Sequence, residues 1–284
     1  MLRSIALALL LALVSTLPAV ADDDPPPTDG YPPPEYVERS DRSLHDGLDF
    51  LETFGVDLWS VVKEPFVMDR ESWFKVGTAA AAFAWLYYWD PEIMLSVQQN
   101  RENPLLNTAE EIGSFFDPLG LLGEMGKYYV GGIAVGYAFK WEKLERVSTD
   151  ILFSQWVGGL IRQGFVRVVD RSRPNEGRGA YDYGNDGTSM PSGHASTVFN
   201  LATVVSHHFP EWYVKVVAYG IATCIAIQRV TVEQHWASDS FLGAVYGHAV
   251  GRIVVQANDR RGYLVVPTID PGSGRPGLAL QWNF

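Results

Sequence analysis

Between residues 70 and 258, apolar runs alternate with short charged edges. Runs free of Lys, Arg, Asp and Glu occupy 76–89, 128–139, 151–161, 195–210, 216–228 and 240–251. Each falls short of the roughly 20 apolar residues that a bilayer span requires. Charges such as Lys75, Lys127, Lys140, Lys215 and Arg252 edge them. The pattern predicts an all-α domain over 38–258, a helical bundle of about six core helices. Ahead of it, Leu44, Leu48, Leu51, Val56 and Trp59 recur at near-helical spacing. They predict an amphipathic helix over 43–62, packed on the domain in preference to lying on a membrane. Behind it, YLVVPTI and LALQWNF are β-type runs around the turn-rich Asp270-Pro271-Gly272-Ser273-Gly274. A short C-terminal β hairpin over 259–284 is the expectation there.

The N-terminus reads as an address. Arg3 precedes an apolar stretch that ends in Ala19-Val20-Ala21, a small-x-small pattern. This is the form of a secretory signal peptide, 1–21, cleaved after Ala21. An uncleaved anchor is the alternative, at the short limit for a span and interrupted by Pro18. Residues 22–37 carry Asp22-Asp23-Asp24 and two proline triplets, the makings of a semi-rigid solvated leader. The mature chain is therefore expected outside the cytoplasm, periplasmic or envelope-associated.

Composition narrows the partners. With 22 Lys and Arg against 33 Asp and Glu, the net charge is −11, which argues against nucleic acid and against adsorption to anionic lipid by charge. A mean hydropathy of −0.01 fits a soluble protein or one in peripheral membrane contact, with an integral bundle of short spans as the alternative. Cys224 is the single cysteine and lies in an apolar run. No disulfide framework or cysteine metal cluster can be built, and a buried structural thiol is expected.

Three stretches carry candidate chemistry. Ser192, after Pro191, opens an apolar run and is placed to cap a helix whose free N–H groups would face an anion. Gly193 lets backbone approach such a ligand, and His194 stands at its mouth as a proton donor. His235 and Asp239 are spaced i, i+4, so on a helix the carboxylate would accept from one imidazole nitrogen and free the other to attack. Arg229 follows a long uncharged run and needs an anionic partner, for which its planar fork suits phosphate. The segment 161–178 holds Arg162, Arg167, Arg171, Arg173 and Arg178 against Asp170 and Glu176, a reversal of the chain's overall charge. Of these, Arg162, Arg171 and Arg178 read as solvated or structurally paired. His45, His207, His208 and His248 lack partners in the sequence, and Trp85, Tyr87, Tyr88 and Trp89 read as packing.

Arg173-Pro174, then Pro191-Ser192-Gly193-His194, then Arg229-x5-His235-x3-Asp239 resemble the three signature motifs of the type 2 phosphatidic acid phosphatase superfamily. That superfamily also takes in bacterial class A acid phosphatases and vanadium haloperoxidases. The resemblance covers residues 166–239 and implies a metal-independent phosphatase without a cofactor. It implies that His235 is the nucleophile, forming a phosphohistidine, and that Asp239 orients it. His194 would protonate the leaving alkoxide and then activate water. Arg173, Arg229, Ser192 and Gly193 would hold the phosphoryl oxygens. The substrate implied is a phosphate ester, a lipid phosphate or a soluble monoester.

Two positions depart from that pattern. The lysine of the first motif is replaced by Val166, and Arg167, one place later, is the candidate to reach the phosphate instead. The serine before the third motif's arginine is Gln228, which retains a donor. Two other functions fit the same residues: a vanadium-dependent haloperoxidase, and a non-catalytic envelope protein that binds phosphorylated ligands.

Overall fold

The computed structural model describes the backbone of residues 47–261, 263–269 and 276–282. Eight α-helices carry it: α1 Gly47–Val67, α2 Arg70–Gln99, α3 Pro104–Phe116, α4 Leu122–Ala138, α5 Glu142–Val169, α6 Gly193–His208, α7 Trp212–Thr231 and α8 Ala237–Arg261. The six apolar runs fall on α2, α4, α5, α6, α7 and α8. α1 answers to the amphipathic helix expected over 43–62, with its described part beginning later.

Beyond the six core helices and the amphipathic one that were expected, α3 is an addition. Asn107, Glu110 and Glu111 interrupt the apolar positions of α3, so it leaves no charge-free run. Local chemistry still starts it. Asn103 accepts from the Leu105 N–H at 2.9 Å, and Pro104 sets the first helical φ. The signal sequence, the leader and the turn at 270–275 lie outside the described residues. Two extended segments, Tyr263–Ile269 and Pro276–Trp282, end the chain.

α6 and α8 form the centre of the bundle. Gly243, Gly247 and Gly251 are four residues apart and share one face of α8. A Cβ at Gly247 would lie 2.0 Å from the Ser196 carbonyl oxygen, and one at Gly243 would lie 2.6 Å from that of Ser192. Bare backbone on α8 thus rests on the backbone of α6. This contact brings His194, in the first turn of α6, towards His235, just ahead of α8. A methyl group at 247 would push the helices apart, and overpacking of that kind costs about 1–3 kcal/mol.

The other helices wrap this pair. α7 closes one side through Tyr219, Ala222 and Ile225 against Phe199 and Ala244. α3 lies on α7, where a Cβ at Gly113 would meet the Cys224 carbonyl at 2.5 Å. Leu86, Ile93 and Val97 of α2 cover Trp236 and Phe241, and Ile133, Ile151 and Leu152 join α4 and α5 to Val204 and Val255. Each fully buried ring, such as Phe153 or Phe199, contributes roughly 1.5–3 kcal/mol. Cys224 is only partly buried, and that burial raises its thiol pKa.

By length and composition α7 is apolar enough to cross a bilayer, and 44% of its most apolar window is buried in the bundle. The helix continues past Lys215 to Trp212, which the charge-free run 216–228 did not reveal. Trp212, Tyr213, Val216 and Val217 are exposed on it.

Candidate active site

His235 lies in the turn between α7 and α8 and precedes the helix. The expected i, i+4 pairing with Asp239 on one helical face is therefore corrected. The Nδ1 of His235 sits 2.7 Å from the carbonyl oxygen of Ser189. A carbonyl only accepts, so Nδ1 carries the hydrogen and Nε2 keeps its lone pair. Burial, with Arg173 and Arg229 nearby, holds the pKa of His235 well below its usual value and the ring neutral.

Asp239 has other work. Its carboxylate accepts from the Ser189 hydroxyl at 2.5 Å, the Trp236 N–H at 3.0 Å and Arg171 at 2.6 Å. The Trp236 amide is a free donor at the start of α8, and a carboxylate in the first turn satisfies it. Asp239 thus reaches His235 through Ser189. Burial pushes its carboxyl up, to about 6, against the pull of Arg171.

Facing His235 is the start of α6. Ser192 caps it weakly, accepting from the Ala195 N–H at 3.5 Å, and its own N–H donates to the Asp239 carbonyl at 3.0 Å. His194 Nε2 accepts from Arg229 at 3.1 Å and lies 3.6 Å from the Asp117 carboxylate. Burial and the Arg229 charge pull His194 down to about 4, with Asp117 opposing. Arg229 meets Asp117 at 3.3 Å, while its buried Nε has no hydrogen-bond partner. Arg173 is steadied by Thr188 at 3.1 Å and by Gln234 at 2.6 Å.

His194, His235 and Arg173 open on a cavity of about 780 Å³, whose lining also includes Thr188, Gly193 and Arg162 but neither Arg229 nor Ser192. Here the arginine expectation changes. Arg167 is exposed and does not line the cavity, whereas Arg162 does. Val166, in the lysine position, also faces the cavity, and Arg162 lies one helical turn before it on the same side of α5. Arg167 is about 140° further round from Arg162. The Arg162 guanidinium donates to the Pro191 carbonyl at 3.1 Å, and a Cβ at Gly193 would come within 3.1 Å of its Cζ. The i, i+4 step back from Val166 was the signal that could have found it. Asp117, on the 3₁₀ turn Asp117–Gly120 after α3, carries no such signal.

The remaining predicted positions lie apart from the cavity. Gln228 is buried beside Gly113 of α3. His207 pairs with Asp259 and His208 with Asp150, each at 2.7 Å, and His248 meets Thr203 and Tyr219. Arg178 donates to the Asn185 carbonyl at 3.0 Å. His45 lies outside the described residues. Among those described, no group of three or more His, Cys, Asp or Glu side chains is gathered to hold a metal ion.

The family model of the PAP2 superfamily matches residues 148–263, a stretch that runs from α5 to the end of α8 and contains all three motifs. The match takes in less than half of the chain. A lipid A 1-phosphatase of Porphyromonas gingivalis is 31% identical over 121 residues, 42% of this chain and 24% of that protein. The matched stretch is thus about a quarter of that relative's length. Among solved structures, a transmembrane PAP2 type phosphatidylglycerolphosphate phosphatase from Bacillus subtilis gives a TM-score of 0.49 at 18% identity, over 64% of this chain and 95% of that one. LpxE of Aquifex aeolicus gives 0.42 at 22% identity, over 58% of this chain and 93% of that one. α1 to α4, with Asp90 and Asp117, precede the stretch that the PAP2 model matches.

Proposed function

We propose that this protein is a phosphatase of the PAP2 kind that hydrolyses phosphate monoesters, lipid phosphates among them, through a phosphohistidine at His235. The observation that carries this reading is the tautomer of His235. The Ser189 carbonyl ties down Nδ1–H, so the lone pair of Nε2 is the free end of the ring, in a cavity that it shares with Arg162, Arg173 and His194.

In the first step Nε2 bonds to phosphorus as the P–O bond to the leaving group breaks, and His194 gives its proton to the departing alkoxide. Arg162, Arg173 and Arg229 hold the phosphoryl oxygens, whose charge they neutralise as it shifts. In the second step His194 takes a proton from water, the hydroxide attacks phosphorus, and the N–P bond breaks to release phosphate. Arg229 donates to His194 Nε2 in the structure. Phosphoryl oxygens compete for that guanidinium, and Asp117 then favours protonation of His194.

The kinship with a lipid A 1-phosphatase supports a lipid phosphate substrate. Exposed Trp212, Tyr213, Val216 and Val217 support peripheral contact with a membrane. The leader pattern of 1–21 supports export to the envelope.

The test is phosphate release by the purified protein from phosphatidate and p-nitrophenyl phosphate, with His235→Ala alongside. Turnover that is lost in the variant is expected. Equal turnover by both proteins would sink the assignment.

A further inference from the structure

Behind the nucleophile, on the side away from the cavity, lies a fully buried ionic cluster that the mechanism above does not use. Arg171 is 0% exposed and its guanidinium makes four hydrogen bonds. Nε donates to the Ala180 carbonyl at 2.9 Å, Nη1 to Asp239 at 2.6 Å and Ser238 at 2.8 Å, and Nη2 to Asp90 at 2.7 Å. Asp90 comes from α2, ahead of the stretch matched to the family. Its other oxygen accepts the Ser238 N–H at 3.0 Å, and the Ser238 hydroxyl donates to the oxygen that Arg171 meets. Tyr87 and Trp236 cover the guanidinium at 4.9 and 5.5 Å.

We propose that Arg171 and Asp90 are positioning residues for His235. They fix Ser189, whose carbonyl sets the tautomer of the nucleophile. They also supply the counter-charge for the cation that His235 becomes when phosphorylated. The proposal rests on the phosphohistidine reading and adds residues to it.

Ser189 is held from two sides by this cluster. Its N–H donates to the Arg171 carbonyl at 3.0 Å, and its hydroxyl donates to Asp239, which Arg171 grips. With one guanidinium and two carboxylates, the cluster carries a formal charge of −1 when both are ionised. A neutral His235 leaves that charge unanswered. An Nε2-phosphorylated ring is cationic and lies one residue away from it, through Ser189. The charge is thus better matched after the nucleophile has reacted, which is the direction that favours phosphorylation. Buried ion clusters are poor sources of stability, because desolvation offsets their attraction. A staple between α2 and α8 made of apolar side chains would serve packing equally well.

Asp90→Asn is a near-isosteric test, and Arg171→Lys keeps the charge while removing the guanidinium fork. Positioning predicts that kcat falls about 10- to 100-fold, the usual effect of losing a partner that orients a reacting ligand. The inhibition constant for inorganic phosphate stays within about twofold, because the arginines that bind the anion are untouched. The ¹⁵N spectrum of labelled histidine, with the His235 signals assigned by His235→Gln, should change from one tautomer to a mixture. A purely structural role would lower thermal stability without that split. Folded variants with wild-type kcat, or with phosphate affinity lost in step with kcat, overturn the proposal. If both fail to fold, Ser189→Ala decides. It cuts the link to Asp239 and leaves the ionic cluster whole, so wild-type kcat in that variant also overturns the proposal. His235→Ala separates the two readings, since turnover surviving there would refute the phosphohistidine itself.

Discussion

Replacing Arg162 by Met, which keeps most of the stem's volume and removes the guanidinium, tests which arginine completes the phosphate clamp. Arg162 spends one N–H on the Pro191 carbonyl at 3.1 Å and lies against Gly193 at the cavity wall. Its remaining donors are free for a phosphoryl oxygen. A unit charge about 4 Å from another, in surroundings of effective dielectric near 20, is worth about 4 kcal/mol. Removing one preorganised donor from a developing oxyanion costs about 2.7–4 kcal/mol. The two figures agree on a loss of about 10²- to 10³-fold in kcat/KM. Arg167→Met should stay within about twofold, since that side chain points away into solvent. Val166 faces the cavity one turn on, so Val166→Lys added to Arg162→Met should recover much of the loss. Initial rates on p-nitrophenyl phosphate, with melting curves to check folding, measure all three. A near-normal Arg162→Met, or an Arg167→Met that loses as much, would refute the assignment of the clamp.

Three further outcomes follow from the packing and the charges. Asp117→Asn removes the carboxylate that opposes the lowering of the His194 pKa. The high-pH limb of the rate profile should then move to lower pH. Alkyl phosphates should slow about tenfold, and p-nitrophenyl phosphate much less, because a phenolate departs without a proton. Equal slowing of both would contradict the role of His194 as acid. Gly247→Ala should cost about 1–3 kcal/mol in denaturant unfolding, because its Cβ would collide with the Ser196 carbonyl; an unchanged midpoint would contradict the close contact of α6 with α8. His248 is pulled down to about 4 by burial and is neutral when folded, while the unfolded chain protonates near 6.5. It therefore lowers stability as pH falls from about 6.5 towards 4. His194 and His235 act in the same sense, and the raised Asp90 and Asp239 in the opposite one. His248→Asn should flatten the rise of stability with pH in that window by up to about 1.4 kcal/mol per unit, and an unchanged slope would contradict its neutral burial.

Much of this was readable along the chain, because six helices each carry an apolar run, although Asp90, Asp150, Arg162 and Arg252, which edge those runs, lie inside α2, α5 and α8. α3 escaped because Glu110 and Glu111 break its pattern and only its cap and proline announce it. The site was legible where chemistry is tied to spacing. His194, His235, Arg173 and Arg229 all border one cavity or contact a residue that does. What failed was the inference of contact from periodicity. His235 and Asp239 are four apart, yet the helix begins between them, and an amide donor captures the carboxylate. Arg167 is next to Val166 in sequence and on another side of α5 in space, whereas Arg162 shares the Val166 side. Arg171 read as a structural pair, and its partners confirm the pairing, but nothing local could say that one of them would be Asp90, from α2.

The most direct measurement is an acid- or base-quench of the protein with ³²P-labelled substrate, followed by mapping of the label. A phosphate bound to His235, stable to alkali and labile to acid, lost in His235→Ala and accumulating when His194 is replaced by Ala with an activated aryl ester, is the predicted result. Steady turnover at rates that outrun any labelled enzyme, or label on another side chain, would contradict nucleophilic attack by His235.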